Sequence, residues 1–180
     1  MSRRLVLLLL LFAPAIAGAV DQYTYKVLDR KPHDRSHWVQ GLEIRDGLLY
    51  KSTGLYGESR LLRYDLATGA LQVERRLNAQ LFGEGLTVLG DRIYQLTWKR
   101  RMLLEFNRDD MKALGWHPIP GLGWGLTNDG THLIYTEGGD KLHYIDPATK
   151  RIVRSVPVTE NGRPLPKLNE LEWVDGMIWA

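Results

Sequence analysis

The chain has 180 residues, 44% hydrophobic and 25% charged, which is enough for one globular domain with an apolar core. Cysteine is absent, which excludes disulfides, a thiolate nucleophile and a thiolate metal site. Two of the 24 basic residues lie in an N-terminal leader and the other 22 nearly balance the 21 acidic residues, so no basic surface points to a nucleic-acid partner.

The first predicted element is the leader MSRRLVLLLLLFAPAIAGAV. Two arginines precede an apolar run that starts at Leu5, and small residues follow at Ala15, Ala17 and Ala19, a pattern typical of a secretory signal peptide. The run contains Pro14 and is shorter than the ~20 residues of a spanning helix, which disfavours the alternative of an uncleaved anchor. We therefore predict a signal peptide over residues 1–19, a domain over 20–180 without stable membrane association, and a periplasmic or secreted location.

Four related segments follow the leader: QGLEIRDGLLYKST, EGLTVLGDRIYQLT, WGLTNDGTHLIYTE and NELEWVDGMIWA. Each is predicted to form a strand, a turn of two or three residues containing Asp or Gly, and a second strand. Their first residues recur at intervals of 44, 40 and 45 residues: Gln40, Glu84, Trp124 and Asn169. After each of the first three segments, two more strands are predicted around a polar turn: RLLRYDLATGALQVERRL, MLLEFNRDDMKALGWHPI and KLHYIDPATKRIVRSVPV.

Four short strands in a unit of ~40–45 residues are typical of β-propeller blades, and no segment after the leader has a sustained helical period. A β-sandwich would not repeat the same four-strand unit. The roughly 161 residues after the leader correspond to about 3.7 blades, and the sequence stops within the second strand of the fourth unit. We therefore expect an all-β propeller domain that is truncated at its C-terminus and has an exposed strand edge.

The innermost strand of each blade lines the central channel of a propeller, so the four segment-initial residues are expected at one height around it. Taken singly, each could be a strand-start residue that only hydrogen bonds across blades. Together they place an acid, two amides and an indole in one register, which favours a binding or catalytic site. The glycines beside them, such as Gly83 and Gly85, permit sharp turns or a close approach of backbone to ligand.

The motifs STGLYG, FGEGLT, QLTWK, GWGLT and LNELEW, within a stretch from Trp38 to Ala180, resemble those of the glutamine cyclotransferases of the plant and bacterial type. The resemblance implies a five-bladed propeller, of which this chain would cover about four blades. It also implies conversion of N-terminal glutaminyl residues to pyroglutamate with release of ammonia. It assigns the catalytic acid to Glu84 and substrate binding to six residues: Trp38, Gln40, Phe82, Trp98, Trp124 and Asn169. The sequence departs from the family pattern at Lys51, where the family usually has Glu, and at Glu137 in YTEGG, which replaces a usual Asp-Gly-Ser segment.

The implied reaction needs one group that first accepts and then donates a proton, which a single buried carboxylate such as Glu84 can do. The two amides could stabilise the oxyanion, and the aromatic walls could exclude water. The scheme requires no cofactor or metal, and His33 and His37 are interpreted as solvated loop residues rather than ligands. We expect a monomer that acts on N-terminal glutaminyl peptides or proteins. The alternatives are a propeller that binds a ligand without turnover and an inactive truncated fragment.

Overall fold

The structure is a computed structural model, and it describes residues 23–180; the predicted signal peptide lies outside them. Residues 23–30 contain no helix or strand, and all regular structure in the described part is β. The first sheet is formed by β1 (Val39–Arg45), β2 (Leu48–Thr53), β3 (Arg60–Asp65) and β4 (Leu71–Arg76). The second sheet is formed by β5 (Gly83–Leu89), β6 (Arg92–Thr97), β7 (Met102–Asn107) and β8 (Ala113–Pro118).

The third sheet is formed by β9 (Leu126–Asn128), β10 (Leu133–Tyr135), β11 (Lys141–Ile145) and β12 (Ile152–Pro157). Two short hairpins follow, β13 (Thr159–Glu160) with β14 (Arg163–Pro164) and β15 (Glu172–Val174) with β16 (Met177–Trp179). Every pairing is antiparallel and joins neighbours in sequence. The all-β prediction is therefore confirmed. Within residues 23–180, the structure contains no helix long and apolar enough to cross a membrane.

The first strands of successive units lie next to one another: β1 contacts β5, β5 contacts β9, and β9 contacts β15. The other strands of each four-stranded sheet follow in chain order to the outermost strand. This arrangement brings the starts of β1, β5, β9 and β15 together around one cavity. It explains how residues more than 40 positions apart in sequence meet at a single site.

Three apolar clusters fill the spaces between successive sheets. Between the first and second sheets lie Tyr50, Leu61, Leu86, Val88, Ile93, Leu104, Phe106 and Met111. Between the second and third lie Tyr94, Leu96, Leu103, Ile119, Leu126, Leu133, Tyr135 and Ile145. The third cluster consists of Ile134, Leu142, Tyr144, Leu168 and Leu171. Strand β6 is buried on both faces, with Ile93 in one cluster and Tyr94 in the next, because side chains alternate along a strand.

Three of the four predicted hairpins have two-residue turns, but the third differs from the prediction. Four residues, 129–132, separate β9 from β10. Asp129 stabilises this longer turn because its Oδ1 accepts hydrogen bonds from the backbone N–H of Thr131 at 2.9 Å and of His132 at 2.6 Å. The β13–β14 hairpin was not predicted, since its two-residue strands are too short to show an alternating pattern.

Candidate active site

The acid and the first amide of the site both lie at β-bulges. In the β5–β6 pair, Gly83 is opposite Thr97 and Leu86 is opposite Gln95, so Glu84 and Gly85 share a single opposite residue. In the β1–β2 pair, the register shifts between Val39 and Gly41, at Gln40. A bulge changes the direction of a side chain without altering the register of the rest of the strand. The two bulges therefore allow Gln40 and Glu84 to leave the alternation of their strands.

Glu84 is a buried carboxylate, with 5% of its surface exposed. Its Oε2 accepts a hydrogen bond of 2.5 Å from Nε2 of Gln40. Burial raises the pKa of Glu84 from its ordinary value to about 8, and the hydrogen bond from Gln40 opposes that rise. A carboxyl group with a pKa near neutrality can both accept and donate a proton under ordinary conditions.

Phe82 and Trp98 form one aromatic wall beside the acid. Their ring centroids are 5.6 Å apart at an interplanar angle of 64°, and Tyr56 packs edge-on against Phe82 at 5.5 Å. The backbone N–H of Trp98 donates to the carbonyl of Phe82 at 3.1 Å, which ties the end of β6 to the start of β5. The Phe82 ring lies over Gly54, where a Cβ atom would come within 2.3 Å of it. Phe82 therefore requires glycine at position 54.

Polar side chains of the first two sheets support the backbone around Glu84. The hydroxyl of Ser59 accepts a hydrogen bond from the backbone N–H of Gly83 at 3.0 Å. The side-chain amide of Gln95 donates to the Ser52 hydroxyl at 2.6 Å, between the two sheets. These contacts are buried, so they fix the start of β5 where water does not compete.

The structure places all seven predicted site residues around one cavity of about 280 Å³. Trp124 and Asn169 lie just before β9 and β15 rather than within them. The Nε1 atom of Trp124 is buried and has no hydrogen-bond partner among residues 23–180. Trp38 is 59% exposed and lies at the cavity mouth. The roles assigned to these residues remain predictions.

Three residues singled out from the sequence lie outside this cavity. Lys51 is buried on β2, its Nζ is 4.7 Å from the Tyr64 ring centre, and desolvation lowers its pKa. Glu137 lies with its Oε1 3.4 Å from Nε2 of His143.

The prediction that His37 is solvated is wrong: its side chain is 7% exposed, and its Nε2 lies 2.7 Å from a guanidinium nitrogen of Arg60. No group of three or more metal-ligating side chains occurs among the described residues.

Sequence reasoning missed one acid next to the cavity, Glu170. The four units begin Gln-Gly, Glu-Gly, Trp-Gly and Asn-Glu, so Glu170 stands where the other three units have glycine. Its Oε1 accepts a hydrogen bond of 3.3 Å from the backbone N–H of Leu42. The pKa of Glu170 is raised to about 9, mainly because the carboxyl is buried. Its departure from the repeat was the signal that could have identified it.

The fold and the site together define an all-β protein in which a buried acid–amide pair with aromatic walls occupies a pocket at the starts of the innermost strands. A family model for glutamine cyclotransferases matches residues 4–180. The chain belongs to the glutamine cyclotransferase family, which confirms the resemblance found in its sequence.

Two similar proteins carry the family's activity in their names. A glutaminyl-peptide cyclotransferase from Arabidopsis thaliana is 35% identical in an alignment of 159 residues, which covers 86% of this chain and 49% of the plant protein. The crystal structure of Myxococcus xanthus glutaminyl cyclase superposes with a TM-score of 0.74 at 31% identity, covering 82% of this chain and 62% of that one. The chain thus spans about half the length of the curated relative that it matches.

A more distant structural match shows the fold alone. BamB from Moraxella catarrhalis superposes with a TM-score of 0.52 at 18% identity, covering 74% of this chain and 37% of that protein.

Proposed function

We propose that this protein is a glutaminyl-peptide cyclotransferase that converts N-terminal glutaminyl residues of peptides to pyroglutamate and releases ammonia. The observation that carries the proposal is the buried Glu84 carboxyl, hydrogen bonded to Gln40 inside an aromatic-walled cavity. Family membership and the named activities of the plant and bacterial relatives support it.

In the proposed reaction, the substrate's neutral α-amine attacks its own side-chain carboxamide carbon, and a C–N bond forms as the carbonyl π electrons move to oxygen. Glu84 takes a proton from the attacking nitrogen and gives it to the departing NH₂ group. The tetrahedral intermediate then collapses, the second C–N bond breaks, and ammonia leaves. Glu84 is ionised again, so one carboxylate completes the cycle.

Both reacting groups belong to one substrate residue, so positioning supplies much of the rate gain. Asn169 and the indole N–H of Trp124 are the proposed donors to the substrate carbonyls. Phe82 and Trp98 would flank the glutaminyl side chain and exclude water. The cavity is small, about 280 Å³, which suits a chain terminus rather than an internal segment.

The first test is release of ammonia from a Gln-initiated dipeptide. The same dipeptide with an acetylated N-terminus is the matched control, because it has no nucleophilic amine. The Glu84→Gln variant should fold but lose about 10²–10⁴-fold in rate, the usual contribution of general acid–base catalysis. Release from the acetylated peptide, or near-normal turnover by Glu84→Gln, would contradict the proposal. Tight dipeptide binding without turnover would instead favour a ligand-binding module.

We also propose that the three four-stranded sheets and the β15–β16 hairpin are successive blades of a five-bladed propeller. Five blades require a rotation of about 72° between neighbouring sheets, against about 60° for six. An experimental structure would measure that angle. Export through a signal peptide over residues 1–19 and a monomeric state are further proposals. They are tested by N-terminal sequencing of the periplasmic or secreted protein and by its mass in solution.

A further inference from the structure

Glu170 is an acid beside the candidate pocket, and the proposed reaction gives this residue no role. It stands at the second position of the fourth repeat, where the other units have Gly41, Gly85 and Gly125. At Gly85, a Cβ atom would come within 2.5 Å of the backbone nitrogen of Leu126, so that position has no room for a side chain. At the fourth position there is room, and the Glu170 carboxyl extends towards β1.

The contacts of Glu170 are with the backbone that follows Gln40. Its Oε1 accepts the 3.3 Å hydrogen bond from Leu42 and lies 3.2 Å from where a Cβ on Gly41 would be. A second cavity of about 170 Å³ is lined by residues 39–42 together with Asn169 and Glu170. Gln40 and Asn169 line this cavity and the candidate pocket alike. Glu170 therefore adjoins the pocket through the two predicted substrate-binding amides.

The surroundings of Glu170 disfavour its charge. Its Oε2 is buried and has no hydrogen-bond partner among residues 23–180. The charged groups that face it are both acids, Glu172 on β15 and Glu84 on β5, while the backbone N–H groups of Leu42 and Leu171 point towards it. Burial and the two acids together raise the pKa of Glu170 to about 9, in spite of the two N–H groups. The carboxyl is therefore uncharged at neutral pH.

We propose that Glu170 acts as a neutral carboxylic acid that holds the β1 backbone at Gly41 and Leu42, and thereby keeps the amide of Gln40 against Glu84. It is a positioning residue, since it acts through Gln40 and does not touch the reacting atoms. The expected effect of Glu170 on rate rests on the proposed function. The expected effect of Glu170 on the Gln40–Glu84 hydrogen bond does not, because that bond can be observed without turnover.

The test compares two substitutions of similar length. Glu170→Gln keeps a carbonyl acceptor for the N–H of Leu42 and has no charge, so its kcat/KM at pH 8 should stay within about twofold of wild type. Glu170→Met has no acceptor for that N–H, and it should lose about ten- to a hundredfold, the scale expected from small misplacements in a site. Glu160→Met, which places the same substitution at an exposed acid on β13 outside both cavities, is the control and should behave as wild type.

The pH profile separates a neutral acid from a merely structural side chain. Wild-type kcat/KM should fall above about pH 9, as Glu170 ionises between two other acids, and Glu170→Gln should lack this alkaline decline. Equal declines in the two proteins would overturn the proposal. This comparison uses only wild type and the conservative variant Glu170→Gln. It therefore tests the proposal even if Glu170→Met is too unstable to assay.

A direct titration keeps the inference separate from the proposed function. The pKa of Glu84 is measured from its carboxyl ¹³C resonance, assigned as the signal lost in Glu84→Gln. Because the hydrogen bond from Gln40 lowers that pKa, Glu170→Met should raise it and Glu170→Gln should not. Gln40→Ala is the positive control. A wild type that releases no ammonia yet shows this pattern would refute only the proposed function. A Glu84 pKa unchanged in Glu170→Met but raised in Gln40→Ala would refute the positioning role.

Discussion

Gln40 and Glu84 are 44 residues apart in sequence, and their side chains are joined by a hydrogen bond of 2.5 Å between two neighbouring innermost strands. The amide donates to a carboxylate that burial disfavours, so it stabilises the charged form of Glu84. The pair thus sets the pH above which Glu84 is ionised. Burial moves that pH up, and the amide moves it back down.

The first prediction concerns Gln40→Ala. Loss of the donor should raise the pKa of Glu84 above about 8, because desolvation would then act with less opposition. The acidic limb of kcat/KM should move to higher pH, and activity at pH 7 should fall more than activity at pH 9. A pH series of initial rates measures this. A uniform loss at every pH would mean that Gln40 binds substrate but does not tune the acid.

The second prediction concerns stability against pH. Burial raises the pKa values of Glu84, Glu170 and Glu172 from 4.5 to about 8, 9 and 7. At a pH between 4.5 and the raised pKa of each acid, the folded state therefore binds more protons than the unfolded state. Their contribution to stability is full below pH 4.5 and is lost as the pH rises through 7 to 9. Thermal melting should therefore show a lower Tm at pH 9 than at pH 5.

Two Glu→Gln variants test this prediction, one at a buried acid and one, as the control, at an exposed acid. Glu170→Gln removes one of the titrating groups and should flatten the decline by several degrees, since ~1 kcal/mol shifts Tm by about 2–4 °C in domains of this size. The same change at the exposed Glu58 should leave the decline as it is. A Tm that rises from pH 5 to pH 9 would contradict the assignment of these raised pKa values.

The third prediction concerns the aromatic walls. Trp98→Ala and Trp124→Ala should lower kcat and raise KM, because each removes one face of the cavity. Trp38→Ala should raise KM with little change in Tm, since Trp38 is 59% exposed at the mouth. Trp116 on β8 is similarly exposed, at 56%, but lies outside the cavity, so Trp116→Ala is the matched control. Equal kinetic effects of Trp38→Ala and Trp116→Ala would show that Trp38 does not contact substrate.

The fourth prediction concerns Gly54. An added methyl group would meet the Phe82 ring at 2.3–2.5 Å, so Gly54→Ala must displace that ring or the backbone. We expect a loss of stability of ~1–3 kcal/mol, typical of overpacking, and a lower kcat/KM because Phe82 leaves its wall. Gly115 on β8 has no atom within 4 Å of the equivalent position, and Gly115→Ala should be neutral. Denaturant melts and peptide kinetics on both variants measure the difference.

The sequence was most informative where a pattern repeats. The recurrence of the four hairpin units predicted the all-β architecture, including strands such as β6, both faces of which are buried. The four-residue turn after β9 was missed because its stability depends on side-chain hydrogen bonds from Asp129, which a count of turn residues does not reveal. The environment of His37 was also missed, because Arg60 is 23 residues away.

The candidate site was predictable as a set of residues, but its geometry was not. The shared register of Gln40, Glu84, Trp124 and Asn169 indicated convergence, and the family resemblance added the aromatic side chains. No sequence pattern showed that Gln40 donates to Glu84 or that the carboxyl of Glu170 reaches Leu42, since both contacts depend on how separate sheets pack. Bulges are equally hard to read from sequence, because glycine beside a polar residue also fits an ordinary turn.

The bulge in β5 has a consequence for how the chain tolerates insertion and deletion. Downstream of it, Leu86 pairs with Gln95 and the remaining residues continue in regular alternation to Leu89. Deleting one residue at Gly85 would restore simple pairing at the start of the strand and leave those downstream pairs and their buried faces in place. The start of β5 can therefore vary by insertion or deletion as well as by substitution, and such changes alter the candidate site. The packing of the rest of the strand can vary only by substitution.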